Sequence, residues 1–239
     1  MASDYSGRVR FVSENYGDSK LAERFGVRRY PAIFVNDVLV ATPKDFGFFG
    51  KDEGADSARY APIRGAVGQE RFRADLKRMI ELVLAGKSAE ARAAAPSATA
   101  AEITRMPELV ITDFAGRPLS RAELADRVVL IEFWATWCPP CRSTLRWLGA
   151  LGERYGDRLA IVTLAMDSDE AQARATAKEI GPAIRWAVGT PALAREFGGI
   201  GAVPTLFLFD RRGATAAVFY GAPPTLHEHA EARLRALLD

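Results

Sequence analysis

The sequence predicts an α/β fold, a central mixed sheet flanked by helices, and three observations carry that expectation. Strand-like and helix-like segments alternate as βαβαβαββα over the second half of the chain. One strand-like run, VVLIEFW (128–134), is apolar on both faces except at Glu132, as a strand covered on two sides is, and LAIVTLA (159–165) reads as another buried strand. The last two strand-like runs are joined by Arg211-Arg212-Gly213 and read as an antiparallel hairpin, so the sheet is mixed.

In order, Ser120-Arg-Ala-Glu123 fits a capping box on a short entry helix. The strand 128–134 leads into a helix that starts at the Cys138-Pro-Pro-Cys141 segment and carries Leu145, Leu148 and Leu151 on one side. After the strand 159–165, residues 170–180 are rich in Ala, Gln, Lys and Glu and read as a helix. Residues 184–188 give a short strand, 191–197 a short helix, 205–210 and 215–220 the hairpin, and 226–238 a closing amphipathic helix. A different pattern precedes this region: a strand at 9–13, a helix at 19–25, strands at 32–35 and 38–41, a long loop, and a helix at 70–85. Between the two lies KSAEARAAAPSATAAEITR (87–105), an Ala-rich stretch with almost no large apolar residue, expected to be a linker whose first part extends the preceding helix until Pro96 stops it. The expected organisation is therefore a domain at 1–86, a linker at 87–105 and a domain at 106–239.

Composition narrows the function. The chain has 239 residues, 49% apolar and 26% charged, with a net charge of +2. That length supports a sizeable core, and so small a surplus of charge gives no reason to expect nucleic acid as a partner. The longest apolar runs are far shorter than the roughly 18 residues that a membrane span needs. The first residues, MASDYSGR, hold no apolar stretch resembling a signal peptide, which taken literally implies the cytoplasm.

The two cysteines, Cys138 and Cys141, are too close in sequence to staple distant parts of a fold, so they point to chemistry or a metal. Zinc needs about four ligands, and the remaining candidates, His227 and His229, sit two apart at a helix start, where they diverge and are expected to be solvated. No metal and no small-molecule cofactor are expected. A redox role fits better. A thiolate is the attacking species, and a helix N-terminus lowers a thiol's pKa through unpaired N–H groups and the helix dipole. Pro139 and Pro140 suit a first turn, where N–H groups have no intrahelical partner. Residues three apart on a helix lie roughly 5–6 Å apart, within disulfide reach. Cys138 is expected to be the exposed nucleophile and Cys141 the buried thiol that resolves a mixed disulfide. Glu132 shares a strand face with residues 128, 130 and 134. Buried there, it has a raised pKa suited to passing a proton to or from Cys141; at the sheet's end, it escapes to solvent and does nothing.

Phe133-Trp-Ala-Thr-Trp-Cys-Pro-Pro-Cys-Arg142 resembles the active-site segment of the thioredoxin superfamily, and within it the TlpA/ResA-like thiol–disulfide oxidoreductases. The resemblance spans about residues 106 to 239 and includes an extra αβ segment around 169–188. It implies a thioredoxin-like fold and a redox-active Cys138–Cys141 disulfide. It also implies a buried acid at the place of Glu132 and a cis-proline loop at Gly201-Ala-Val203-Pro204-Thr205, whose Val203 backbone pairs with an extended client chain. Trp137, Pro139 and Pro140 complete the expected client-binding surface, while Phe133 and Trp134 belong to the core. Arg142 either adds positive charge beside the thiolate or is simply solvated. Implied partners are protein thiols and disulfides together with an upstream dithiol reductant. Relatives of this kind often serve cytochrome c maturation or thiol reduction in the bacterial envelope, which implies a periplasmic or other extracytoplasmic location.

The segment from Leu21 to Val35, with Tyr30-Pro31, resembles the second half of the same fold, so a partial thioredoxin-like domain without cysteines is expected first. Such a half-fold leaves a sheet edge uncovered, which points either to residues missing upstream of Met1 or to a docked partner face. The loop 44–69, with Phe46, Phe48, Phe49 and Tyr60, is either a partner-binding lid or packed on its own domain. Two rival functions stay open on the sequence: a peroxiredoxin-like thiol peroxidase with Thr136 beside a peroxidatic Cys138, and a client-binding or chaperone-like module in which the cysteines are incidental.

Overall fold

The computed structural model describes residues 3–14, 19–27, 31–46, 59–60, 65–95 and 103–239. The chain divides into two compact units, Met1–Ala100 and Ala101–Asp239.

In the first unit, helix α1 (Lys20–Arg24) begins where the Ala22 N–H donates to the Ser19 hydroxyl at 2.8 Å. Strands β1 (Ile33–Val35) and β2 (Val38–Ala41) form a hairpin whose turn holds Asn36 at φ 54°, a left-handed conformation that Asn tolerates. Helices α2 (Pro43–Phe46), α3 (Ala66–Leu84) and α4 (Ser88–Ala94) follow, and Val38, Val40, Met79 and Ala91 form the core. The expected linker thus opens with a helix of its own. Small Ala91 fits flush against β2 and α3, and Arg92 pairs with Asp37 at 2.5 Å. The expected strand at 9–13 does not form: among the described residues no strand pairs with it, and Phe11 and Val12 are about half exposed. Phe46 and Tyr60 pack on each other and on Phe72 with ring centroids 5.2–5.6 Å apart, so the described part of the 44–69 loop lies on its own unit. Tyr30, Phe48 and Phe49 lie outside the described residues.

The second unit opens with β3 (Ile111–Thr112) and β4 (Pro118–Leu119), a short hairpin absent from the expected element order. The capping box then forms on a 3₁₀ turn at Ala122–Leu124: the Ser120 N–H donates to the Glu123 carboxylate at 3.1 Å, and the Glu123 N–H to the Ser120 hydroxyl at 3.3 Å. The main elements are β5 (Val128–Trp134), α5 (Pro139–Tyr155), β6 (Leu159–Ala165), α6 (Glu170–Ile180), β7 (Arg185–Val188), α7 (Pro191–Glu196), β8 (Thr205–Phe209), β9 (Thr215–Tyr220) and α8 (Leu226–Leu238). The sheet order is β7-β6-β5-β8-β9. Strands β5, β6 and β7 are parallel, β8 runs antiparallel to β5, and β9 antiparallel to β8, which is the mixed, helix-flanked sheet that the sequence predicts.

Both faces of β5 are covered, which explains its nearly unbroken apolar run. On one face, Val128, Leu130 and Trp134 meet Leu145, Leu148 and Leu151 of α5 and Ala230 and Leu234 of α8. On the other, Phe133 packs edge-on against Phe197 and Phe207 at 4.9 and 5.9 Å. Helix α5 comes unusually close to the segment before β7, because a Cβ at Gly152 would lie 2.8 Å from the Ala183 carbonyl oxygen. Gly→Ala within an open helix stabilises by about 1 kcal/mol, whereas overpacking costs about 1–3 kcal/mol. Gly152→Ala is expected to lower the urea midpoint; a raised midpoint would show that the close approach does not constrain α5.

Candidate redox site

The site is built where β5 ends and α5 begins. A tight turn closes with the Cys138 N–H donating to the Ala135 carbonyl at 3.1 Å. Cys138 is then extended (φ −101°, ψ 100°) in the N-cap position of α5, with Pro139 and Pro140 as the first two helical residues. Neither proline has an N–H, so the first backbone donor of the helix is that of Cys141, and it donates to the Cys138 sulfur at 3.3 Å. The two sulfurs form a disulfide with the Cα atoms 5.4 Å apart. Cys141 is fully buried. Cys138 is only 4% exposed, so the expected exposed nucleophile is largely covered in this oxidised state.

Its cover comes from the loop before β8. The Val203–Pro204 peptide is cis, Pro204 is buried, and the Val203 carbonyl oxygen lies 3.8 Å from the Cys138 sulfur. The Thr205 hydroxyl pins this loop by donating to the Ala202 carbonyl at 2.8 Å. Trp137, Pro139 and Pro140 face solvent beside the disulfide, with Trp137 51% exposed. Phe133 and Trp134 are core, as expected. Arg142 pairs with Glu179 at 2.6 Å, which directs its charge to α6.

Glu132 is 0% exposed, so the alternative in which it reaches solvent at the sheet's end fails. It sits between Leu130 and Trp134 on the strand face that packs the cysteine helix. Neither carboxyl oxygen has a hydrogen-bond partner among the described residues, and burial pushes its pKa well above the ordinary 4.5. Of the two histidines expected to be solvated, His229 is exposed, whereas the His227 ring stacks on Trp147 at 4.6 Å and is half-buried, because α8 lies along α5. Among the described residues, no group of three or more His, Cys, Asp or Glu could hold a metal ion, and no helix is long and apolar enough to cross a membrane.

Sequence reading missed one support. The turn after β6 grips the turn before Cys138. The Thr136 N–H donates to the Ser168 hydroxyl at 2.9 Å, that hydroxyl donates to the Met166 carbonyl at 2.8 Å, and the Trp137 indole N–H donates to the Asp167 carbonyl at 2.8 Å. Asp167 adopts φ 44° to make this grip. The only advance sign was the polar cluster Asp167-Ser168-Asp169 at the end of a buried parallel strand, which is where α/β sheets place their sites.

Ser168→Ala leaves the Thr136 N–H unpaired and is expected to cost about 1 kcal/mol in urea unfolding; an unchanged midpoint would show that the grip does not hold the turn. Glu132 sets a pH dependence. The unfolded chain releases this proton near 4.5 and the folded chain only at higher pH, so between the two values the native state binds the extra proton. Stability relative to Glu132→Gln is therefore expected to fall as pH rises from 4.5 to the raised folded value, then level off; parallel urea curves for the two proteins at pH 4.5 and 8 measure it.

The chain matches the Redoxin family model over residues 93–238. It is 26% identical over 117 residues to the thiol-disulfide oxidoreductase ResA of Bacillus thuringiensis, covering 48% of this chain and 67% of that protein. It is 25% identical over 118 residues to the thioredoxin-like protein YneN of Bacillus subtilis, covering 48% of this chain and 69% of that one. The solved structure of a thiol:disulfide interchange protein of the thioredoxin family from Chlorobium tepidum superimposes with a TM-score of 0.51 at 25% identity, covering 58% of this chain and 99% of that one. With a cysteine pair closing at the start of a helix on a mixed sheet, these matches leave one assignment: the chain belongs to the Redoxin family, as a TlpA/ResA-like member of the thioredoxin superfamily.

Proposed function

We propose that the protein is a thiol–disulfide oxidoreductase that reduces disulfides in client proteins through Cys138 and Cys141. The observation that carries this reading is the Cys141 N–H aimed at the Cys138 sulfur at the N-terminus of α5, with a buried acid on the same side of the sheet. In the reduced protein, the Cys138 thiolate attacks a client disulfide and releases one client sulfur as a thiolate, which takes up a proton. Cys141 gives its proton to Glu132 and attacks the Cys138 sulfur, breaking the mixed disulfide and releasing the second client sulfur. Two electrons pass from the dithiol to the client, and an upstream dithiol protein returns the site to its reduced form. No organic cofactor enters this cycle. The Val203 backbone offers main-chain hydrogen bonds to an extended client segment, with Trp137, Pro139 and Pro140 as the apolar wall beside it.

The donor count supports the reducing direction. A thiolate that is strongly stabilised makes an oxidant, because it favours the dithiol form; a weakly stabilised one makes a reductant. Two prolines remove two N–H groups that would otherwise stand at the first turn, leaving the Cys141 N–H as its donor to the sulfur. Client disulfides persist in oxidising compartments, so we assign the protein to an extracytoplasmic location. We assign the first unit to a partial thioredoxin-like domain that carries no cysteine and takes no part in the exchange. The peroxidase alternative is the weaker one, since the cations of the first α5 turns, Arg142 and Arg146, are both engaged with Glu179.

The intact protein is expected to catalyse insulin-disulfide reduction by dithiothreitol. Cys138→Ser should abolish this, and Cys141→Ser should accumulate a mixed disulfide with the client, visible on a non-reducing gel. No catalysis by the intact protein, or full activity in Cys138→Ser, defeats the reading. Pro140→Gly adds one N–H donor, worth about 1.5–3 kcal/mol to a charged acceptor, and is expected to raise the reduction potential by about 30–60 mV in a glutathione titration.

A further inference from the structure

The buried face that packs α5 holds a second polar group, which the exchange chemistry above leaves without a role. Thr163 is the only polar residue of β6 and is 0% exposed. In the parallel β5–β6 ladder it stands directly beside Glu132. Its neighbours two residues either way, Ile161 and Ala165, belong to the same apolar cluster as Cys138, Cys141 and Leu145, so its side chain shares the face of Glu132. Directly paired residues on one face bring side chains within about 5 Å of each other. Across the rest of that row lie Trp186 and Leu206, so no other polar side chain flanks the pair in the sheet. The Thr163 hydroxyl and both Glu132 oxygens have no hydrogen-bond partner among the described residues.

Three adjacent buried polar atoms without partners are a costly arrangement, and each would cost about 1–3 kcal/mol if left so. They are also complementary, because a hydroxyl both donates and accepts and a carboxyl accepts in either protonation state. We propose that Thr163 is a positioning residue for Glu132, its hydroxyl and the carboxyl forming one hydrogen-bonded unit on the face of the sheet that carries the cysteine helix. A side-chain rotation or one shared water completes the bond, and in either form the same two groups are coupled. The hydroxyl donates to the ionised carboxyl more strongly than to the neutral one. It therefore enlarges the fraction of Glu132 that is ionised at neutral pH and ready to accept the Cys141 proton, against the burial that opposes ionisation. The inference rests on the reading of Glu132 as the proton partner of Cys141.

The other titratable groups around this face are accounted for. Cys138 and Cys141 come from α5. His227 and Glu231 of α8 lie at its rim, the first stacked on Trp147 and the second paired with Arg154 and Arg235. Asp113, before the β3–β4 turn, is held by Arg117 and by Arg185 of β7.

The test compares Thr163→Val, which keeps the shape and removes the hydroxyl, with Thr163→Ser, which keeps the hydroxyl. Carbon-13 NMR titration of the Glu132 carboxyl in the full chain reads the coupling without any client. Thr163→Val is expected to raise the carboxyl midpoint by about one pH unit, equivalent to about 1.4 kcal/mol, and Thr163→Ser to leave it within about 0.3 unit. At pH 7, Thr163→Val should slow decay of the Cys138 mixed disulfide about tenfold, with no further slowing in a Glu132→Gln background. An unchanged midpoint in Thr163→Val, a Thr163→Ser protein that behaves like the valine variant, or equal slowing with and without Glu132 overturns the proposal. A structural hydroxyl alone would change unfolding but not the carboxyl midpoint. Should the valine variant not fold, Thr163→Ala carries the same comparison. Wild-type protein that exchanges no disulfide would overturn the function reading, and the carboxyl midpoint would still decide the role of Thr163.

Discussion

The site depends on a helix that begins immediately after a buried strand, with a sulfur in place of the usual capping oxygen. An N-cap side chain normally satisfies one of the orphan N–H groups at a helix start. Here Cys138 does so, and the two prolines after it remove the competing donors, so the Cys141 N–H has the sulfur as its acceptor. The same turn that fixes the helix therefore fixes the sulfur's electrostatics and brings the second sulfur into bonding range. Anchoring comes from below: Cys141, Leu145, Leu148 and Leu151 bury one stripe of α5 against β5 and β6, so the reactive end is held by the body of the helix. A helix of this length would be marginal by itself in water, and its packed face is what makes its first turn rigid enough to serve as a site.

The buried carboxyl has the opposite character. Nothing in the packing of β5 requires an acid at position 132; an apolar residue there would extend the core without a penalty. Its presence on the cysteine side, rather than on the aromatic side with Phe133, Phe207 and Phe209, is a matter of strand parity. A shift of one residue would put it among the phenylalanines, away from the helix. The unfavourable burial is thus local to the place where a proton must move, which is where perturbed groups cluster in working sites.

Much of this was legible in the sequence because its signals are local. The strands at 128–134 and 159–165 and the helix at 170–180 have the predicted bounds, since continuous apolar runs and a capped polar helix need no knowledge of partners. The Cys-Pro-Pro-Cys spacing and the parity of Glu132 are equally local. What escaped is non-local or weakly encoded. The apolar run at 9–13 reads as a strand, but a strand exists only with a partner to pair with, and none is there among the described residues. The hairpin at 111–119 is two residues a side, too short for alternation to register. The helix at 88–94 reads as a continuation of the preceding one, and what escaped is the break between them, where Gly86 turns the chain at φ 76° and Ala91 is buried on the unit's own core. The likeness of Thr163 to Glu132, each a lone polar residue in a buried strand, was visible, but their side-by-side register is a property of the sheet.

That register also explains why the turn that grips the site and the lone buried threonine come from one strand. Strands β5 and β6 are parallel and in step, Val128 beside Leu159 through Trp134 beside Ala165, so they reach the same edge of the sheet together. Whatever follows β6 must then emerge beside whatever follows β5. The turn Met166–Ser168 is thereby delivered to the backbone of Thr136 and the indole of Trp137, and Thr163, two residues before the strand's end, is delivered to Glu132. An antiparallel neighbour would have brought the opposite end of its strand to this place, and β8, which does run antiparallel, contributes its beginning: the Val203–Pro204 loop. The site is thus the meeting of two parallel strand ends and one antiparallel strand start, and a mixed sheet is the arrangement that provides all three at one edge.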